Sequence, residues 1–296
     1  MAQPPLSIGN RLSRFLIKSG KLGGPIGMPG RFWGRAVGVK LPGGATIRIT
    51  NPRETIQAIV VHRGVYEPNI AALISALMKP GKVFIDIGAN IGVHSLVAAG
   101  HGATVKSFEP VPRIGDALLR SVKASHLDQR VELVRSALGA KEGQITIYVA
   151  RRSDDGSHSA VAGIPAESID SISVPMTTLD TFLQQRSIKP DLLKIDVEGF
   201  ESQVLDGATS LLSSQDAPPI IMETGDRLAD QLGESAASSI RRLTEKNYAI
   251  FRIPDEGKIH PVKLSELSGE LNNYFCLPNR MLSDGEVMRR LKPLMD

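Results

Sequence analysis

The sequence predicts an α/β fold built on a mostly parallel sheet with helices on both faces. Two observations carry this expectation. From residue 83 onward, short aliphatic runs alternate with segments of helical spacing. Alternation at this interval builds parallel sheets through right-handed crossovers. The second observation is the stretch 83–95, VFIDIGANIGVHS, where a short buried strand carrying Asp86 breaks at Gly88 and helical spacing begins at Gly92. Glycines there let a ligand approach the backbone, and a helix start offers free N–H groups to an anion. Ligands of such sheets bind beyond the carboxyl ends of the strands, so the acids placed there decide which ligand fits.

Composition narrows the classes. With 42% hydrophobic residues in 296, the chain can bury a full core. No run approaches the ~18 apolar residues of a membrane helix. Cys276 is the only cysteine, which excludes an intramolecular disulfide and a cysteine-cluster zinc site. The net charge of +4 is uneven: residues 1–53 hold nine Lys/Arg and no Asp/Glu, and the rest holds 26 Lys/Arg against 31 Asp/Glu. The basic character belongs to the N-terminal segment, so no nucleic-acid partner is expected. The start of the chain lacks the apolar core and cleavage site of a signal peptide, and the expected location is the cytoplasm.

In chain order, residues 1–30 are rich in Gly, Pro and Ser, with a modest amphipathic piece at 11–21. They read either as a basic arm making peripheral contact with the inner membrane face or a partner, or as a solvated tail. Residues 32–50 alternate around Gly43-Gly44, a small hairpin. GVYEPNI at 64–70 leads into an apolar helical segment ending at Pro80-Gly81. After strand 83–87 come helix 92–100, strand 103–108, helix 113–126, strand 131–137 and an added strand 144–149. Residues 151–170 are polar and aperiodic, either a loop over the active site or a mobile surface loop. Strand 171–176 precedes helix 179–185, for which Thr177 and Asp180 form a near capping box. Strand 192–196, helix 200–212, strand 220–223, helix 236–246 and strands 249–253 and 274–277 follow. The expected division is an arm with hairpin at 1–53, a catalytic domain at 54–280 and a helical tail at 281–296.

Four strand ends carry acids: Asp86, Glu109, Asp196 with Glu198, and Glu223. Clustered carboxylates repel and need a cationic or hydrogen-bonding ligand to share. Glu109, 21 residues beyond Gly88, stands where an acid accepts hydrogen bonds from ribose hydroxyls. The loop Asp86-x-Gly88-x-x-x-Gly92 lacks the third glycine of a dinucleotide fingerprint and any phosphate-binding lysine. Ribose contact without a pyrophosphate cradle suggests a nucleoside cofactor lacking phosphates. S-adenosylmethionine fits, because its ammonium and sulfonium groups suit an acidic rim.

FIDIGANIGVHS, FEPVP at 108–112, LLKIDVEGFESQVLDGA at 192–208 and IIMET at 220–224 together resemble the FkbM-type S-adenosylmethionine-dependent methyltransferases. GVYEP before the first strand and NYFCLP near the end resemble that family's flanks, so the likeness runs from about residue 64 to 278. The resemblance implies a class I methyltransferase, Rossmann-like fold: a seven-stranded, mostly parallel sheet with one antiparallel strand near the end. It implies that Asp86, Gly88, Asn90 and Gly92 line the methionine part of the cofactor, that Glu109 holds the ribose, that the turn around Ser136 faces the adenine, and that Asp196 lies near the transferable methyl. It also implies methylation of a hydroxyl on a sugar, glycan, glycolipid or natural product, with S-adenosylhomocysteine as the second product.

An aliphatic hydroxyl is a poor nucleophile, and a base that takes its proton helps by ~10²–10⁴-fold. The candidate bases are Glu198, Asp196 and His94. Strand parity pairs Lys194 with Asp196 and suggests an ion pair. Asp196, Glu198 and Glu223 are hard oxygen ligands of the kind magnesium prefers, but the sequence has no dedicated metal motif and no metal is assigned. The alternatives left open are a nucleotide-dependent dehydrogenase and a non-catalytic cofactor-binding scaffold on the same fold.

Overall fold

The computed structural model describes residues 37–52, 54–150, 158–159, 169–226, 230, 235–267 and 269–296. The basic segment 1–30 and most of the polar stretch 151–170 lie outside the described residues. No helix among the described residues is long and apolar enough to cross a membrane.

An antiparallel hairpin of β1 (Val37–Lys40) and β2 (Thr46–Ile49) turns through Gly43 and Gly44. Ile47 and Ile49 are buried, and the Thr46 and Arg48 N–H groups donate to Ser125 and Ser121 at the end of a later helix. Helix α1 (Thr55–Arg63), capped by Glu54, had no counterpart in the sequence reading. Its apolar residues encircle the cylinder instead of lining one face, so periodicity gave no signal. Helix α2 (Pro68–Leu77) starts on a proline, which suits the first turn.

The central sheet begins with β3 (Val83–Ile87), α3 (Val93–Gly100), β4 (Thr104–Phe108), α4 (Pro112–Ala124) and β5 (Val131–Val134). The strand expected at 131–137 stops at Val134. The chain then turns at Arg135-Ser136 into a separate four-stranded sheet of β6 (Ala137–Leu138), β7 (Gly143–Ala150), β8 (His158–Ser159) and β9 (Ile169–Thr177), ordered β6-β9-β7-β8. Helix α5 (Leu179–Arg186) is capped by Thr178, whose hydroxyl accepts from the Thr181 N–H at 3.0 Å. The capping box expected at Thr177 and Asp180 does not form. Asp180 instead accepts from the N–H groups of Ser210 and Leu211, at 2.7 and 2.9 Å.

After β10 (Leu192–Ile195), the helix expected over 200–212 is two: α6 (Glu201–Asp206) and α7 (Thr209–Ser213). A Cβ on Gly207, between the two pieces, would lie 2.1 Å from the Gly139 carbonyl oxygen, so the position requires glycine. Asp180 thus caps the second piece across the fold, a contact no local pattern reveals. β11 (Ile220–Thr224), α8 (Ala236–Glu245), β12 (Tyr248–Ile253), β13 (His260–Pro261), β14 (Asn272–Pro278) and α9 (Gly285–Leu291) complete the chain.

The central sheet runs β13-β12-β14-β11-β10-β3-β4-β5. β14 lies between β11 and β12 and is antiparallel to both, and the pairs among β11, β10, β3, β4 and β5 are parallel. The sequence reading expected seven strands; the structure has an eighth, the two-residue edge strand β13, too short to show any alternation. Apolar side chains alternate across the sheet into two cores. Phe84, Val105, Leu192 and Ile221 face one, and Ile85, Ile87, Leu193 and Ile195 face the other. The chain winds outward from β3 through β4 to β5, then resumes on the other side at β10. The carboxyl ends of β3 and β10 therefore flank the point where the winding reverses, the place such sheets bind ligands.

Candidate active site

The site grows out of strand parity. On the face that carries Phe84, Leu192 and Ile221, the next positions toward the carboxyl ends are Asp86, Lys194 and Glu223. Cross-strand register places Asp86 beside both Lys194 and Ser107, and Glu223 beside Asn273. The apolar core thus gives way to polar groups at one end of one face.

Asp86 is 1% exposed. Its Oδ2 accepts from the Ser95 hydroxyl at 2.6 Å, and Ser95 is itself 2.7 Å from the Ser107 hydroxyl. Oδ1 is buried without a hydrogen-bond partner. Burial pushes the Asp86 carboxyl up, and the Lys194 ammonium opposes that rise. Lys194 Nζ lies 2.8 Å from Asp196 Oδ2, the pair strand parity suggested. Burial works against the lysine charge, but the carboxylates of Asp196, Asp86 and Glu67 outweigh it and raise its pKa.

The glycine loop is held from behind. Gly88 and Ala89 donate to the Phe108 carbonyl at 3.0 and 2.9 Å. Asn90, with φ 51°, sends its N–H to Glu109 Oε2 at 3.0 Å, and Oε1 of the same glutamate accepts from Val111 at 2.8 Å. Glu109 therefore clamps the loop to the start of α4, and burial pushes it up to about 7. The space a side chain would need at Gly88 is filled by the Asp196 carbonyl oxygen, 1.8 Å from an ideal Cβ. At Gly92 it is filled by Leu118 of α4, at 2.6 Å. Both glycines are required by protein packed against them, a constraint additional to the room they were expected to give a ligand.

The turn after β10 departs from the strand geometry assumed for Asp196 and Glu198. The strand ends at Ile195, Glu198 adopts a left-handed backbone with φ 53°, and the two carboxylates sit in a turn where alternation no longer applies. That turn is fixed by Glu201, a residue the sequence reading did not single out. It is 3% exposed, and its Oε1 accepts from Val197 and Gly199 at 3.2 and 3.0 Å. Burial pushes it up to about 7.

Asp86, Asp196, Glu198 and Glu223 do come together: Asp196, Glu67 and Glu198 all repel the Glu223 charge, which burial has already driven well up. Glu109 stands to one side, across the loop from Asp86. His94 is 5% exposed, and burial first, then Lys194, hold it well below its ordinary range. Ser136, expected near the adenine, directs its hydroxyl to the carbonyls of Ala137 and Pro175 at 3.0 and 2.9 Å. Nothing places it in contact with the acidic group. Among the described residues, no three His, Cys, Asp or Glu side chains form a group that could hold a metal ion.

Two residues that complete the cluster came from outside the strand-end motifs. Glu67, which precedes α2, receives Asn273 Nδ2 on Oε1 at 3.2 Å and places Oε2 3.6 Å from His94 Nε2. Both lie within the GVYEP and NYFCLP stretches, so a signal existed, but it marked family flanks without marking chemistry.

A sheet with this strand order, a single reversed strand between β11 and β12, and an acid-lined end at the winding reversal is a class I methyltransferase fold. The family model for the methyltransferase FkbM domain matches residues 86–250, more than half of the chain, and the chain belongs to that S-adenosylmethionine-dependent family. It is 27% identical to the hexuronic acid methyltransferase AglP of Haloferax volcanii, over 50% of this chain and 59% of that protein. It is 29% identical to the 31-O-demethyl-FK506 methyltransferase FkbM of Streptomyces tacrolimicus, over 57% of this chain and 74% of that one. The chain thus spans less than two thirds of the archaeal relative. A crystal structure of a methyltransferase FkbM from Methylobacillus flagellatus superposes with a TM-score of 0.43 at 14% identity, covering 74% of this chain and 60% of that one.

Proposed function

We propose that the chain transfers a methyl group from S-adenosylmethionine to an aliphatic hydroxyl of a sugar, glycan or small natural product. The observation that carries this reading is the charge imbalance at the strand ends. Glu67, Asp86, Asp196, Glu198 and Glu223 gather around one buried cation, Lys194, and Asp86 Oδ1 has no partner. Such a site is stabilised by a cationic ligand and penalises an anionic one. The relatives' names, one a hexuronic acid methyltransferase and one acting on a 31-O-demethyl compound, support an oxygen acceptor and a sugar or natural-product class.

Within this reading, Asp86, Gly88, Asn90 and Gly92 hold the methionine part, Glu109 the ribose, and the turn at Ser136 the adenine. Asp196, tied to Lys194, sits at the reacting end. When bound, the donor supplies an electrophilic methyl carbon, and its carbon–sulfur bond breaks as the acceptor oxygen bonds to that carbon, leaving S-adenosylhomocysteine. The chain's own work is to orient the hydroxyl, keep water out and take its proton. The last task falls to the acidic cluster and His94: Asp196, Glu198 and Glu67 all bear on Glu223, and His94 lies 3.6 Å from Glu67.

Isothermal titration of the full chain with S-adenosylmethionine tests the reading. Saturable binding is expected, and its absence from folded protein removes the proposal. For Glu109→Gln, affinity is expected to fall tenfold or more, about 1.4 kcal/mol, because an amide cannot accept from Asn90, Val111 and a ribose at once. Unchanged affinity would withdraw the ribose role.

A further inference from the structure

Two buried atoms face each other with nothing between them. Glu67 Oε2 and His94 Nε2 are 3.6 Å apart, and each lacks a hydrogen-bond partner. The Tyr66 backbone favours a proton on the His94 ring, and with that proton on the nitrogen away from Glu67 the neutral ring presents a lone pair at Nε2. A lone pair opposite a carboxylate oxygen, both out of water, is repulsive unless one proton lies between them. Burial decides where that proton resides. It pushes Glu67 up to about 7 and holds His94 well below its ordinary range, which favours a neutral imidazole facing a protonated carboxyl.

Glu67 is built to face this way. Its backbone is left-handed, with φ 47° and ψ 71°, and although it occupies the N-cap of α2 its side chain makes no capping bond. The side chain turns inward, where Asn273 fixes the second oxygen. The charged and titratable groups that bear on it are Lys194 and Asp196 from β10 and the turn after it, Glu223 from β11, Asp255 from the turn after β12 and Tyr66 beside it. Of these, Lys194 is the cation, and Asp196 and Asp86 already share it.

Resting on the methyltransferase reading, we infer that the Glu67–His94 pair stores one proton in the cofactor-free protein, releases it when the cationic methyl donor binds, and then receives the proton of the acceptor hydroxyl on Glu67. The cycle balances in charge and atoms. The sulfonium beside the acids stabilises the Glu67 carboxylate and expels the stored proton to solvent. During transfer the acceptor oxygen gains the methyl carbon, the carbon–sulfur bond pair stays on sulfur, and the hydroxyl proton moves to Glu67. A cation and a carboxylate become a neutral thioether and a neutral carboxyl, so the transfer itself adds no charge to the buried site. The pair is supplied partly by residues before Asp86, where the family match begins, which makes the segment ahead of the core part of the reaction machinery.

The test is titration of the full chain with S-adenosylmethionine at pH 6.5, in phosphate and in Tris, whose different ionisation heats report protons exchanged on binding. Wild type is expected to release most of one proton, since a carboxyl titrating near 7 is largely protonated at that pH. Glu67→Gln is expected to bind the donor more weakly and, at saturating donor, to have lost that release. His94→Gln places an amide N–H opposite Oε2, removes the need for a stored proton, and is expected to lose the release although Glu67 remains. Buffer-independent binding heats in wild type overturn the inference without recourse to variants, and undiminished release in both variants overturns it as well. Failure of wild type to bind the donor at all overturns the methyltransferase reading itself, so the two failures are distinct.

Discussion

Lys194→Met is expected to destabilise the protein by ~3–5 kcal/mol at pH 8.5, the usual cost of removing one partner of a buried ion pair, and by much less at pH 5.5. Lys194 is 3% exposed, and its ammonium contacts Asp196 at 2.8 Å and lowers the titration of Glu67, Asp86 and Glu223. Methionine fills a similar volume, so the electrostatic loss is isolated from packing. Glu67 is held near 7 in the folded protein against 4.5 in an unfolded chain, so between those values the folded state binds more protons. Stability must fall as the pH rises through that window. Glu109 and Glu201 contribute in the same direction over the same range. Without the lysine the folded titrations of Glu67, Asp86 and Glu223 move higher still, and the decline extends toward alkaline pH. At pH 5.5 Glu67 is largely neutral, so the variant's loss should be smaller there than at pH 8.5. Thermal melts at the two pH values check this: an equal loss at both would show that Lys194 does not act through the acids whose titration burial raises.

Much of this arrangement was legible because it is local or periodic. Residues 83–95 read as strand, turn and helix because the apolar period changes from two to 3.6 within one stretch. Strand parity alone paired Lys194 with Asp196. The acids Asp86, Asp196, Glu198 and Glu223 were brought to one place by the rule that parallel strands present their carboxyl ends together.

What escaped the sequence depends on contacts made across the fold. Gly207 lies between two helices with the Gly139 carbonyl packed against it, and Asp180 caps a helix 30 residues beyond it in sequence. Glu201 lies in the first turn of α6, yet its carboxylate holds the turn that carries Glu198. Glu67 and Asn273 lie 206 residues apart and meet only because β14 inserts beside β11, with Asn273 opposite Glu223. No spacing rule joins such positions. His94 could likewise be noticed as a titratable group without its partner being named, because Glu67 reaches it from a separate element ahead of β3.

Gly88→Ala is expected to unfold the glycine loop or separate it from the turn after β10, with a loss of more than ~4 kcal/mol and of measurable S-adenosylmethionine affinity. Two costs combine. With φ at +80°, an alanine pays a left-handed backbone penalty of roughly 1–2 kcal/mol. Its Cβ would also lie 1.8 Å from the Asp196 carbonyl oxygen and 2.9 Å from the carbonyl carbon, both backbone atoms that no rotamer change can move. Relief requires β3 and β10 to part at their carboxyl ends, where Asp196 donates to the Ile87 carbonyl at 3.0 Å and Lys194 is tied to Asp196. The movement would therefore carry the ion pair and the acid cluster with it. Gly81→Ala separates the two costs, because Gly81 has φ +87° but nothing within 4 Å of an added Cβ. That variant should lose only the backbone term and keep wild-type affinity. Denaturant unfolding and titration of both variants decide the point. If Gly88→Ala were no worse than Gly81→Ala, the close approach of the Asp196 carbonyl would have no energetic weight, and the glycine would be there for its dihedral angle alone.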